Sequence, residues 1–193
     1  MIRVERLVAA AVILALVVAA ATLGGAAWIN AKAHVAQWLI ARAWSRAQAG
    51  ERVRPWPWAD TWPVARLTIA GDEQPLWVLE GASGRNLAFG PAHDPASVLP
   101  GERGNSVIEG HRDTHFARLR GVRVGDSLEI ERPDGRLSTF HVVEVQVVDS
   151  RRWRISLETS GPPRLTLVTC YPFDTIRPGG PLRLVVTADA ERA

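Results

Sequence analysis

A mainly β fold, its strands closed or nearly closed into a barrel and preceded by a membrane-spanning helix, is what this sequence predicts. Three observations carry the prediction. Leu7 to Ile29 is built from apolar and small residues and holds no charge. From Val64 onward short apolar runs recur, many of them bounded by glycine or proline. Pro133-Asp134-Gly135 separates two of those runs as a hairpin turn does.

Taken in order, residues 1–6 form a short cytoplasmic tip and residues 7–29 a transmembrane helix, long enough to cross about 30 Å of hydrocarbon. A cleaved signal peptide is the competing reading, and Ala19-Ala20-Ala21 keeps it open. Arg3 and Arg6 before the span place the N-terminus in the cytoplasm and the remainder outside. Residues 30–60 form a membrane-proximal helix and a Pro/Trp-rich connector. The alanine-rich run to Ala49 is helical and Gly50 stops it. Pro55, Pro57 and Pro63 then forbid an ordinary helix. The connector's tryptophans either pack on the barrel or lie at the lipid surface.

Residues 61–189 form the next domain, of a size that suits one core. Strands are expected at Val64–Ile69, Leu76–Leu79, Leu87–Phe89 and Asn105–Glu109. Ser127–Glu131 and Leu137–Val148 make the hairpin. Arg154–Leu157, Arg164–Cys170 and Leu182–Ala188 complete the set, and Asp189–Ala193 reads as a frayed end. About eight short strands with little helix argue for a barrel.

The net charge of +3 fits a solvated surface that is attracted to anionic lipid. A clustered basic face with interleaved aromatics is missing, so no nucleic acid partner is expected. No HExxH, paired-cysteine spacing or glycine-rich phosphate loop occurs, so no metal and no cofactor is expected. Glu129 and Glu131 are too few carboxylates for a calcium site.

Cys170 is the only cysteine. A buried structural thiol is the plain reading of a lone cysteine. Here the thiol ends an apolar strand, Thr169 stands beside it, and Tyr171-Pro172-Phe173 turns the chain away. A catalytic thiol needs a nearby cation. His111, after Gly110 at the end of a predicted strand, can supply one; His115 is its nearest rival. His34, His93 and His141 read as non-catalytic, and Arg112 and Asp113 as ordinary surface charges. Arg183, on the last strand, is either a solvent-facing charge or the holder of an oxyanion. Nucleophile, proton carrier and fixed cation together point to acyl transfer through a thioester.

Thr166-Leu167-Val168-Thr169-Cys170 resembles the TLxTC signature of sortases, the cysteine transpeptidases of bacterial surfaces. Gly110-His111-Arg112-Asp113-Thr114 resembles their histidine motif, and Arg183 falls where they place an arginine. Tyr171-Pro172-Phe173 and Pro178 to Arg183 look most like the Gram-negative, proteobacterial class GN. The resemblance covers roughly residues 60–188. It implies an eight-stranded sortase-type β-barrel with short helices behind the N-terminal transmembrane helix. It also implies a secreted or surface protein partner with an LPxTG-like C-terminal signal, cleaved between Thr and Gly. Cys170 would carry the acyl group, His111 would move the proton, and Arg183 would steady the tetrahedral intermediate. Thr169 would support the oxyanion. An acceptor amine, its identity open, would complete the transfer; water in its place would make a processing protease. A barrel that binds a sorting peptide without turnover is the non-enzymatic alternative. The expected location is the inner (cytoplasmic) membrane, single-pass, with the catalytic domain periplasmic. Glu109, where a small or apolar residue is common, could pair with Arg112 or Arg183 or shift the histidine's pKa.

Overall fold

The computed structural model describes residues 2–69, 71–72, 74–175 and 179–191. One helix, α1, runs from Ile2 to Gln48. Its N-terminal part is apolar and long enough to cross a membrane. The chain divides into two compact units, residues 1–38 and 39–193. Within the second, the last turns of α1 bury Ile40, Ala43 and Trp44. Trp44 packs on Trp77 with ring centroids 5.5 Å apart. The helix ends as expected, with Gly50 N–H donating to the Ala47 carbonyl at 2.9 Å.

Among the described residues eight strands follow: β1 (Pro63–Ile69), β2 (Leu76–Glu80), β3 (Ala92–His93), β4 (Gly104–Gly110), β5 (Ser127–Glu131), β6 (Leu137–Asp149), β7 (Pro163–Cys170) and β8 (Leu182–Ala190). They close into a barrel in the order β1-β2-β3-β4-β7-β8-β6-β5. Strict alternation of buried and half-buried residues along β1 shows why these segments are strands: one face fills the barrel. Leu67, Ile108, Phe116, Phe140, Leu165 and Leu167 stand in that interior, none of it open to water. The central strand β7 differs. Leu165 through Thr169 are all buried, because a second cluster covers its outer face. There Val107, Val168 and Val185 pack under Trp153 and Ile155.

Three expectations change. Leu87–Phe89 is no strand: Asn86–Ala88 is a 3₁₀ turn, and the strand comes later, at Ala92–His93. The Asn86 side chain donates to the carbonyls of Glu80 and Gly81, which curls the chain before it can extend. Arg154–Leu157 also joins no ladder. β4 and β7 pair directly with each other, so this segment is held instead by Asn105, whose N–H meets Glu158 O and whose amide meets Ser156 O, both at 2.7 Å. Gly104 makes that approach possible, since a Cβ there would lie 2.5 Å from the Glu158 carbonyl oxygen. The C-terminal end is laddered to Ala190, with Arg164 Nε 2.6 Å from Asp189 Oδ1 and Glu191 N–H on Thr139 O. The connector tryptophans divide: Trp56 meets Phe89 edge-on at 4.9 Å, Arg52 lies over Trp62, and Trp58 stays exposed.

Candidate active site

Cys170 is the last residue of β7. Leu165 and Leu167 face the interior and Val168 the outer cluster, so alternation turns Thr169 inward and Cys170 outward. β4 runs parallel to β7 with Gly110 opposite Thr169, which makes His111 the next position, beside Cys170. β8 runs antiparallel on the other side and sets Arg183 opposite Cys170. Neighbouring strands lie about 4.8 Å apart. Cys170 and Arg183 therefore share one rung of the β7–β8 ladder, and His111, the first residue past the end of β4, follows the position level with Thr169. His111 is exposed; Cys170 and Arg183 are half-buried. Arg183 Nη1 donates to the Gly180 carbonyl at 2.7 Å and to the Leu182 carbonyl at 2.9 Å, which holds the guanidinium at the end of the barrel.

Local packing explains why the histidine sits there. The chain leaves β4 at Gly110 and turns into a 3₁₀ helix, His115–Leu119. Phe116 N–H bonds back to His111 O at 3.0 Å while its ring fills the space against the Gly110 Cα. Only glycine leaves room for that ring, since an added Cβ would stand 2.6 Å from it. His115 is on this helix, off the rung. Burial, followed by the charges of His111 and Arg118, pushes its pKa down.

Thr169 is placed differently from the role of oxyanion support. It is buried, and its hydroxyl donates to the Gly110 carbonyl at 2.7 Å. A hydroxyl has one proton to give, and this one ties β7 to β4 behind the rung. Glu109 lies on β4 one residue before Gly110 and makes no ion pair among the described residues. Burial, then the Asp94 charge, raises its pKa, with Arg183 pulling the other way. His93 is structural: Nδ1 sits 2.8 Å from Glu80 Oε2 and Nε2 2.9 Å from Val98 O.

Arg112 was legible only as a surface charge, yet its side chain is 8% exposed. Nη1 donates to Pro172 O at 2.9 Å and Nη2 to Thr175 O at 3.0 Å. No sequence signal marks it, because its partners are backbone carbonyls far along the chain. A cleft of about 290 Å³ beside Cys170 is lined by Leu119, Val122, Val145, Tyr171, Phe173 and Leu184. A larger cavity of about 590 Å³ lies between the end of α1 and the β5–β6 turn, and neither cavity is lined by His111, Cys170 or Arg183. Among the described residues, no group of three or more His, Cys, Asp or Glu could hold a metal ion.

The sortase domain family matches residues 67–191. Sortase D of Bacillus subtilis (strain 168) is 34% identical over 101 residues, 52% of this chain and 50% of its own length. The match thus spans about half of that relative. Sortase A from Corynebacterium diphtheriae superposes with a TM-score of 0.61 at 25% identity, covering 70% of this chain and 64% of that one. Sortase C-1 from Actinomyces oris gives 0.56 at 27% identity, covering 68% and 76%.

These relatives correct two expectations. With further matches from Clostridium, Streptococcus and Listeria, they are Gram-positive proteins, so the class GN, Gram-negative assignment does not stand. It rested on two short pieces of the β7–β8 loop, one of which begins at Pro178, outside the described residues. The periplasmic placement falls with it, because such bacteria have no periplasm. The matched domain, which spans most of the closed barrel, shows that the chain belongs to the sortase family of cysteine transpeptidases.

Proposed function

We propose that this chain cleaves an LPxTG-like C-terminal sorting signal between Thr and Gly and transfers the new acyl end to an amine. The pairing of Cys170 with Arg183, with His111 directly past the end of the strand beside Cys170, supports the reading. The Cys170 thiolate attacks the Thr carbonyl carbon. As the C–N bond breaks, His111 gives its proton to the departing Gly amine, and a thioester remains on Sγ. The acceptor amine then attacks the thioester, His111 takes its proton, and Cys170 leaves as thiolate. Arg183 and backbone N–H groups near the rung balance the negative oxygen of each tetrahedral intermediate. Residues 7–29 tether the enzyme to the membrane, residues 30–60 connect, and residues 61–189 are the catalytic domain. The substrate is a secreted or surface protein delivered at that membrane.

Steady-state kinetics on an LPxTG-type peptide, with and without a small primary amine, test the reading. Cys170→Ala is expected to abolish cleavage. His111→Ala lowers turnover by about 10²–10⁴-fold. Arg183→Ala lowers turnover with the fold intact, and Arg183→Lys restores little, because a point charge does not replace a planar fork. Normal turnover in His111→Ala with loss in His115→Ala would overturn the assignment.

A further inference from the structure

The ladder between β4 and β7 stops at Gly110 and Thr169, one residue short of His111 and Cys170. Beyond Gly110 the chain that carries His111 is a loop, whereas Cys170 is still paired with Arg183 on β8 and its chain leaves the sheet only after it. The meeting of imidazole and thiol therefore depends on what ties the His111 loop to the segment that follows Cys170. Arg112 follows His111 directly, and its guanidinium reaches the carbonyls of Pro172 and Thr175, two and five residues after Cys170. The side chain is almost fully buried. Its charge is met by those carbonyls and, more distantly, by Asp113 Oδ1 at 3.3 Å. A second tie lies alongside. Arg120 Nη2 sits 2.7 Å from Asp174 Oδ1, and its guanidinium stacks 5.3 Å from the Phe173 ring. That pair is exposed and of small weight.

We propose that Arg112 is a positioning residue that holds the His111 loop in register with Cys170 beyond the last bond of the β4–β7 ladder. This rests on the Cys–His assignment above. Two carbonyls on separate residues need two N–H groups in a fixed fork, which Arg offers and Lys does not. Arg112 touches neither thiol nor substrate; it acts through the placement of its neighbours.

A double-mutant cycle read by alkylation of Cys170 with iodoacetamide at pH 7.5 tests this on the full chain and needs no sorting peptide. Variants are wild type, Arg112→Lys, His111→Ala and the double variant, with circular dichroism to verify the barrel in each. His111→Ala is expected to slow alkylation at least tenfold. Arg112→Lys is expected to slow it at least fivefold when His111 is present and less than twofold when it is absent. Equal slowing in both backgrounds, or a wild-type rate in Arg112→Lys, overturns the proposal. Should Arg112→Lys not fold, Arg112→Gln, which removes the buried charge but keeps a donor, takes its place with the same expectations. A wild-type rate in His111→Ala would instead overturn the Cys–His assignment itself, so the two failures are distinguishable.

Discussion

Gly110→Ala puts a methyl group where the Phe116 ring already lies. The new Cβ would stand 2.6 Å from Cγ and Cδ2 of that ring and 3.0 Å from Cε2, where ordinary contact begins near 3.4 Å. Phe116 has no exposed surface and belongs to the interior cluster, so the ring cannot swing into solvent. Overpacking of this kind costs about 1–3 kcal/mol. For a domain of this size that is a fall of about 2–12 °C in Tm. Activity should fall further than stability alone accounts for. Phe116 N–H is bonded to His111 O, so a displaced Phe116 pulls the histidine out of place. Thermal melts and peptide turnover for Gly110→Ala, Phe116→Leu and the pair together make the assay. The smaller ring-free side chain should relieve the clash, so the double variant loses less stability than the sum of the singles. Additive losses, or a Gly110→Ala melt within a degree of wild type, would refute the packing argument.

Other consequences follow from single contacts. Trp44→Ala empties a buried site against Trp77 and should cost about 3–5 kcal/mol by denaturant titration. Thr169→Val leaves the Gly110 carbonyl without its donor and should cost about 1–3 kcal/mol. Its turnover should stay within threefold of wild type, whereas a fall of 10² or more would restore Thr169 as an oxyanion donor. His93 gives a pH test. Burial pushes its pKa down, but the Glu80 hydrogen bond, the Val98 carbonyl and the charges of Glu80 and Asp94 outweigh that, and the net shift is upward. The stability from this shift is full below the unfolded pKa of about 6.5 and is lost as pH rises through the higher folded value. The Tm advantage of wild type over His93→Gln should thus be larger at pH 6 than at pH 9; the reverse order would contradict the charged imidazole.

Much of the barrel could be read from alternation, because one face of β1 and β5 is sealed inside while the other meets water or a half-covered surface. Where the local pattern did not decide the pairing, reading failed. β3 is two residues long and too short for any period. Arg154-Ile155-Ser156-Leu157 alternates like a strand, but Ile155 alternates against the outer cluster and the ladder positions beside β4 are already taken by β7 and β3. That Cys170 and His111 stand at or just past a strand end, and Arg183 on the last strand, was legible from the apolar runs around them, while their chemical roles belong to the proposal. Thr169 and Arg112 were misread for one reason: both bind carbonyls on other segments, and side-chain identity says nothing about where a distant backbone will lie.

The central claim is that Cys170 carries an acyl group, and intact-protein mass spectrometry tests it most directly. The full chain in detergent is mixed with an LPxTG-type peptide panel, beside a Cys170→Ala control. The account predicts a mass increase equal to the peptide through Thr, absent in the control and discharged by a small amine into an amine-tagged product. Peptide cleaved with no adduct on wild type, or an adduct that persists in Cys170→Ala, would contradict it.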